Sequence, residues 1–172
     1  MGLGKTIQDI SLIGTSKERL ITNPHCSTPT VIIFPPRLIT NWQSEMSKHA
    51  QAGALQAKIY HVPTRCSLSE ADILKCDIII TSYNIITQEF EQTHTSTSFI
   101  FQINWHCIIL DDAHYIHSQY TATHQALNSL VSSRQICLTS TPIDNTIYDL
   151  LGIISFITQP QSSDQDNFHH SS

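Results

Sequence analysis

The chain has 172 residues, about the length of one domain, and only 13% of them are charged. Its 9 Lys and Arg against 14 Asp and Glu give a net charge of -5, which counts against a self-sufficient nucleic-acid binder. The five cysteines form no CxxC pair, which argues against a disulfide framework or a zinc finger, and the longest apolar runs are too short to cross a membrane. The low fraction of charged residues indicates that the domain has an apolar face that another domain or protein normally covers.

Short runs rich in β-branched residues recur along the chain. They are apolar nearly throughout, which is typical of parallel strands covered on both faces. The predicted strands are TVIIF (30–34), AKIYH (57–61), DIIIT (77–81), HCIIL (106–110) and QICLT (135–139). Cys107 and Cys137 fall inside two of them and are interpreted as small buried hydrophobic residues. The pattern predicts an α/β fold.

Helical segments separate these strands. We predict helices over residues 5–13, 41–49, 84–90, 119–131 and 146–157. In the last of them the apolar residues Ile147, Leu150, Leu151, Ile154 and Ile157 recur at three- and four-residue steps, which predicts one stripe facing the core. The segments 15–29 and 92–98 are polar and read as surface loops, and the tail 159–172 lacks apolar periodicity and is predicted to be disordered.

The segment GLGKT at residues 2–6 contains the second half of a phosphate-binding loop. Gly2 and Gly4 would let the backbone approach phosphates, with Leu3 between them. Lys5 would reach the β- and γ-phosphates, and the Thr6 hydroxyl would bind Mg²⁺. Half a motif is also compatible with an ordinary helix start.

Two adjacent carboxylates follow the fourth predicted strand, in IILDDAHYI (108–116). The carboxyl ends of parallel strands face the crevice where α/β proteins bind ligands. Asp111 could hold the water shell of Mg²⁺, and Asp112 could orient or deprotonate an attacking water. The alternative is a strand followed by an acidic helix cap. Thr139 and Thr141, in LTSTPIDN (138–145), would face the same crevice.

The order of the motifs resembles that of a known family. The segments GLGKT, IIFPPRLITNWQSEM (32–46), IITSYNII (79–86), NWHCIILDDAHYI (104–116) and LTSTPIDNTIYDLLGIISFI (138–157) are similar to the successive motifs of the first lobe of the Swi/Snf-like ATPases of helicase superfamily two. The segment with Trp105 that precedes the acidic motif resembles the corresponding segment in one branch of the family. That branch includes the helicase-like transcription factors and the postreplication-repair translocases. The resemblance covers residues 1–158.

The resemblance implies a RecA-like P-loop NTPase lobe that binds ATP and Mg²⁺. Its mostly parallel sheet would have helices on both faces and would be truncated at its N-terminal strand. Residues 2–6 would bind the nucleotide, Thr6 and Asp111 would hold Mg²⁺, and Lys5 and Asp112 would be catalytic. His114 would couple nucleotide state to Thr139 and Thr141.

The resemblance also implies partners. Pro36, Arg37, Thr81 and Ser82 would contact the backbone of double-stranded DNA or chromatin, largely independently of sequence. A second RecA-like lobe would close over the nucleotide in a longer parent protein that acts in the nucleus, in chromatin remodelling or DNA repair.

The sequence departs from the family pattern in four ways. The Asp-Glu pair before the first glycine and the strand preceding it are absent, and Asp112 stands where the family has a Glu that is one methylene longer. Ser140 and Asp144 replace a Gly and a Gln. The second lobe, with arginines typically worth about 10³ to 10⁵ in rate, is also absent. We therefore expect a fragment with little hydrolysis of its own.

Two other functions remain open at this stage. One is a non-enzymatic remnant or interaction module that keeps the fold without ATP turnover. The other is a metal-dependent hydrolase that uses Asp111, Asp112 and His114, with His117 completing a DDxHxxH cluster. Histidines are common in this chain, with 10 in all, so a chance HxxH spacing is the competing explanation.

Overall fold

The computed structural model describes residues 28–38, 56–61, 67–92, 98–116, 118, 120–139 and 147–158. Several predictions lie outside these residues: the GLGKT loop, the helices over 5–13 and 41–49, Thr141 and the tail from 159 onward. The five predicted strands lie inside them, together with Asp111, Asp112 and Thr139.

Five parallel strands form the main sheet, in the spatial order β2-β3-β1-β5-β7. They are β1 (Thr30–Phe34), β2 (Ala57–Ile59), β3 (Ile78–Ser82), β5 (Cys107–Leu110) and β7 (Gln135–Cys137). A separate two-stranded parallel pair joins β4 (Asn104–Trp105) and β6 (Val131–Ser132). All five predicted strands are present, and the predicted parallel sheet is confirmed.

The inner strands are apolar on both faces because both faces are buried. Alternate residues of β1 divide between two core clusters, with Val31 and Ile33 in the larger one and Ile32 and Phe34 in the smaller one. The same alternation holds along β3 and β5. This division explains why no polar alternation marks these strands in the sequence.

Four α-helices are described: α1 (Glu70–Leu74), α2 (Tyr83–Gln92), α3 (Ala122–Asn128) and α4 (Ile147–Ile157). Each contributes residues to the larger core cluster. Ser69 caps α1 in a capping box with Asp72, and Thr121 caps α3. The sequence analysis missed α1, β4 and β6, which are short. No helix in the described ranges has the length and apolar character that a membrane crossing requires.

The prediction that the apolar stripe of α4 faces the core is wrong, because a different face of the helix is buried. Ile153 and Phe156 are buried, whereas Leu151, Ile154 and Ile157 are 47%, 44% and 42% exposed. The helix is apolar nearly all round, so spacing alone could not select the buried face.

The interpretation of Cys107 as a small buried hydrophobic residue is confirmed, whereas Cys137 is half-buried. Cys107 is buried, and Cys137 packs against the larger core cluster. Burial raises the pKa of the Cys137 thiol to about 12. This thiol is therefore protonated at neutral pH and serves as a hydrophobic group.

Candidate functional site

The carboxyl ends of the strands bring several of the predicted site residues within the described ranges to one edge of the sheet. β1 pairs with β5 so that Ile33 lies opposite Leu110, and the chain continues from these strands into Arg37 and the Asp111–Asp112 pair. β7 lies on the other side of β5 and leads to Thr139. Because all these strands are parallel, the segments that follow them meet at one edge of the sheet.

Asp111 is fixed at this edge by main-chain and side-chain hydrogen bonds. Its N–H donates to the carbonyl of Ile33 on β1 over 2.9 Å, which extends the sheet by one residue. Its Oδ1 accepts from the N–H of Asp112, also over 2.9 Å. The residue is only 8% exposed. The Asp112 N–H therefore holds one oxygen of the carboxylate, and the bond to Ile33 fixes the main chain that carries it.

Asp112 adopts the left-handed backbone conformation, with φ 51° and ψ 50°, and among the described residues it is the one non-glycine with positive φ. Such a conformation costs roughly 1–2 kcal/mol for most residues, and Asp tolerates it better than most. The turn reverses the chain between β5 and the one-turn 3-10 helix Ala113–Tyr115. It leaves the Asp112 side chain 22% exposed at the edge of the sheet.

Arg37 lies beside Asp112 across the same edge. Its Nη2 is 3.8 Å from Asp112 Oδ2, and its side chain is 65% exposed. It stands in a one-turn 3-10 helix, Pro36–Leu38, which begins two residues after β1. Pro36 is half-buried in this turn. The pair is an exposed ion pair, a type whose contribution to stability is about 0–1 kcal/mol.

Tyr83 connects the end of β3 to the acidic turn. Its hydroxyl donates to the main-chain carbonyl of Asp111 over 2.8 Å, and its ring stacks on Tyr115 at 5.1 Å. Burial, with the nearby Asp111 and Asp112 carboxylates adding to it, raises the pKa of Tyr83 well above its ordinary value. The phenol therefore remains a hydrogen-bond donor. The sequence analysis did not identify this role.

Main-chain hydrogen bonds join β7 to the same turn. The N–H of Leu138 donates to Leu110 over 2.8 Å, and the carbonyl of Leu138 accepts from Ala113 over 2.9 Å. The segment that carries Thr139 is therefore attached to the turn that carries His114. The predicted coupling of His114 to Thr139 stays a prediction, and Thr141 lies outside the described residues.

Thr81 and Ser82 lie buried at the end of β3. We predicted that they contact a DNA backbone, but both residues are fully buried. Their hydroxyls have no hydrogen-bond partner among the described residues. Their predicted contact with a DNA backbone stays a prediction. Of the predicted backbone contacts, Pro36 and Arg37 keep exposed surface.

The residues at this edge suit Mg²⁺ better than a transition metal. Magnesium prefers one or two carboxylates together with water and substrate oxygens, and the placement of the Asp111 carboxylate fits that need. The predicted second ligand, Thr6, lies outside the described residues, as does His117. Within the described ranges, no group of three or more His, Cys, Asp or Glu side chains could hold a metal ion.

A parallel α/β sheet with a carboxylate pair at the end of an inner strand is typical of the lobes of nucleotide hydrolases. The SNF2-related domain family matches residues 1–172, and the chain belongs to this family. The resemblance to Swi/Snf-like ATPases that the motifs indicate is thus confirmed.

Curated relatives include proteins of DNA repair and chromatin remodelling. DNA repair protein RAD5A of Arabidopsis thaliana is 33% identical over 74% of this chain, and the human helicase-like transcription factor is 28% identical over 98% of it. The ATPase ISW1 of the ISWI chromatin-remodeling complex of Saccharomyces cerevisiae is 30% identical over 98% of it. The chain spans 12%, 18% and 14% of these three proteins.

Solved structures agree with the family. The Sulfolobus solfataricus SWI2/SNF2 ATPase core in complex with dsDNA superposes with a TM-score of 0.74 at 30% identity, over 92% of this chain and 30% of that one. The ATPase core domain from the same organism gives a TM-score of 0.71, also at 30% identity, over 92% of this chain and 29% of that one. The predicted RecA-like lobe is confirmed as the fold class.

Proposed function

We propose that residues 1–158 form the ATP-binding lobe of a Swi/Snf-like, DNA-dependent ATPase and that this chain alone hydrolyses ATP poorly. The observation that carries the proposal is the acidic turn. Asp111 and Asp112 lie at the end of an inner strand, and hydrogen bonds from Tyr83, which follows β3, and to Leu138, which follows β7, attach the turn to segments on both sides of β5. Hydrogen bonds that fix the turn in this way suit a carboxylate that must be positioned at a defined distance and angle from a phosphate.

The roles of the residues follow from their chemistry. Lys5, with the backbone of Gly2, Leu3 and Gly4, would bind the nucleotide phosphates, while Thr6 and Asp111 would hold Mg²⁺. When bound, Mg²⁺ supplies positive charge that neutralises the phosphate oxygens. Asp112 would accept a proton from water at its half-buried carboxylate, although its side chain is one methylene shorter than that of Glu. A general base works only within hydrogen-bond reach of the proton.

The proposed partners are duplex DNA, through Pro36 and Arg37, and a second RecA-like lobe. The solved relative bound to dsDNA and the DNA repair relatives support the first of these. The exposed apolar residues Leu151, Ile154 and Ile157 on α4 are consistent with a lobe that is normally covered by other protein. The relatives named for DNA repair and chromatin remodelling support a nuclear location.

Calorimetric titration with Mg-ATP tests the nucleotide site. We expect binding by the native chain and its loss in Lys5→Ala, because the lysine supplies the charge for the phosphates. No heat at millimolar nucleotide would refute the proposal. Phosphate release measured with DNA then tests turnover, with little expected from the native chain and more from Asp112→Glu.

One observation favours the alternative of a remnant without turnover. Asp112 is shorter than the usual base and lies beside Arg37. Under this alternative, Asp112→Glu binds ATP as the native chain does but releases no more phosphate, even when a separately expressed second lobe is supplied. Under the first proposal, the second lobe raises phosphate release in Asp112→Glu.

A further inference from the structure

The ion pair between Arg37 and Asp112 joins two segments to which the proposed function gives different tasks. Arg37 follows β1 and faces solvent, and Asp112 follows β5 and belongs to the acidic turn. Their strands are neighbours in the sheet, so the two charges meet across its carboxyl edge at 3.8 Å. Whatever binds one of these groups must therefore act on the other.

Arg37 is isolated among the described cations. Lys75 and Arg134 precede β3 and β7, so both lie toward the amino ends of the strands. Lys58 lies in β2 and pairs with Asp72 over 3.7 Å. Within the described ranges, Arg37 is thus the cation at the carboxyl edge. A polyanion that approaches this edge meets one described positive charge, and Asp112 already neutralises part of it.

We propose that Asp112 and a phosphate of duplex DNA compete for the guanidinium of Arg37, which makes Arg37 a positioning residue for Asp112. The proposal rests on the assignment of this edge as the DNA-facing side of an ATPase lobe. In the free chain Arg37 holds the Asp112 carboxylate. When a phosphate binds Arg37, the carboxylate is released toward the nucleotide side of the edge.

The energetics permit this exchange. An exposed ion pair at 3.8 Å contributes little, and Asp112 can accept at most part of the guanidinium's donor set. A backbone phosphate has two anionic oxygens, as a carboxylate has, and can match the planar fork of Arg with two parallel hydrogen bonds, whereas the 3.8 Å contact with Asp112 is longer than a hydrogen bond. Arg37 is 65% exposed, so it can turn toward DNA without breaking core contacts.

Thermodynamic linkage makes the competition reciprocal. If DNA weakens the hold of Arg37 on Asp112, then removing the Asp112 charge must strengthen DNA binding, by at most the factor by which DNA weakens the pair. A protein with a net charge of -5 has little general attraction for DNA. Among the described residues, Arg37 is therefore expected to make a measurable part of the backbone contact, and its availability affects the affinity.

A double-mutant cycle on DNA affinity tests the competition. We compare the full chain with Asp112→Asn, Arg37→Gln and the double variant, using fluorescence anisotropy of a short labelled duplex at low salt, with EDTA and no nucleotide. We expect Asp112→Asn to tighten binding about two- to fivefold. Arg37→Gln should weaken binding and reduce the slope of log affinity against log salt by about 0.9.

The coupling between the two sites decides the outcome. Asp112→Asn should tighten DNA binding less when Arg37 is already replaced by Gln. We expect the tightening factor in the Arg37→Gln background to be at most about half of that in the native background. The control is Glu91→Gln, which removes one exposed negative charge near the far end of α2. It should change affinity less than Asp112→Asn does, and equally in both backgrounds.

Two results would overturn the proposal. The first is an equal effect of Asp112→Asn with and without Arg37, since it would reduce the effect to general charge. The second is the absence of duplex binding by all four proteins, because Arg37 would then have no phosphate to bind. Circular dichroism establishes that each variant is folded. Because no nucleotide is present, neither result decides whether the chain binds ATP, which the calorimetric titration measures separately.

Discussion

The phenol of Tyr83 donates a hydrogen bond of 2.8 Å to the main-chain carbonyl of Asp111, although the two residues follow strands that are not neighbours. β1 lies between β3 and β5, so this bond crosses the central strand. The Tyr83 ring also stacks on the ring of Tyr115, which lies three residues after Asp112. One side chain thus fixes both the start and the end of the acidic turn.

Replacing Tyr83 with Phe should destabilise the fold. The substitution keeps the stacked ring but removes the donor for a buried carbonyl, which typically costs about 1–2 kcal/mol. Urea unfolding measures the loss. The control is Tyr120→Phe, since Tyr120 is 80% exposed and its change should stay within about 0.5 kcal/mol. Equal stability of Tyr83→Phe and the native chain would mean that the bond contributes nothing.

The left-handed backbone of Asp112 predicts an unusual order of two substitutions. Gly adopts positive φ without penalty and Ala does not, so Asp112→Gly should be more stable than Asp112→Ala by about 1 kcal/mol. Both variants lose the carboxylate, so its pairing with Arg37 cancels in the comparison. Urea unfolding of the two variants gives the difference directly.

Exposed Gln125 in helix α3 provides the control for this comparison. There Gly should be less stable than Ala by about 0.5–1 kcal/mol, because the site is helical. The two sites should therefore show opposite signs. The same sign at both would exclude backbone strain at Asp112.

His124 predicts how stability depends on pH. Its ring is buried between α3 and α4, with Nε2 2.8 Å from Ser155 Oγ and 3.2 Å from the Gly152 carbonyl. Nδ1 is 3.1 Å from the Asn128 amide nitrogen, and as a hydrogen-bond acceptor it must be unprotonated. Burial lowers the pKa of His124 in the folded chain, and it also lowers the pKa of His106.

The sign of the effect follows from linkage. The unfolded chain binds the proton more tightly, so the stabilisation is complete above the ordinary His pKa of about 6.5 and is lost as pH falls toward the lower folded pKa. We expect the free energy of unfolding to decrease between about pH 7.5 and about pH 5.5. His124→Gln and His106→Gln should each reduce that decrease. An unchanged decrease in both variants would contradict the assignment.

Much of the sheet and of the acidic edge could be predicted because the physics is local. The run at 30–34 is apolar and flanked by proline on both sides, and it forms β1 as predicted. Asp111 and Thr139 meet at one edge because parallel strands end on the same side. These conclusions need only the pattern of apolar runs and the direction of the strands.

The contacts between distant segments could not be predicted, because they depend on the order of the strands in the sheet. No pattern of residues along the chain shows that order. The Tyr83 bond and the Arg37–Asp112 pair join segments separated by 28 and 75 positions in the printed sequence, and both follow from which strands are neighbours. The burial of Thr81 and Ser82 was also unpredictable, because polar residues at a strand end usually face a crevice.

Adjacent isoleucines on α4 give the sharpest test of the corrected helix face. Ile153 is 5% exposed and belongs to the larger core cluster, whereas Ile154, in the stripe that the sequence predicted to face the core, is 44% exposed. Ile153→Ala should cost about 2–5 kcal/mol, since it leaves a cavity that the packed core fills only partly. Ile154→Ala should cost less than about 1 kcal/mol, because a half-exposed side chain loses little buried area. The two substitutions are chemically identical and differ by one position, so helix propensity cancels and urea unfolding isolates burial. Equal costs, or a larger cost at Ile154, would restore the predicted stripe and require α4 to be rotated about its axis.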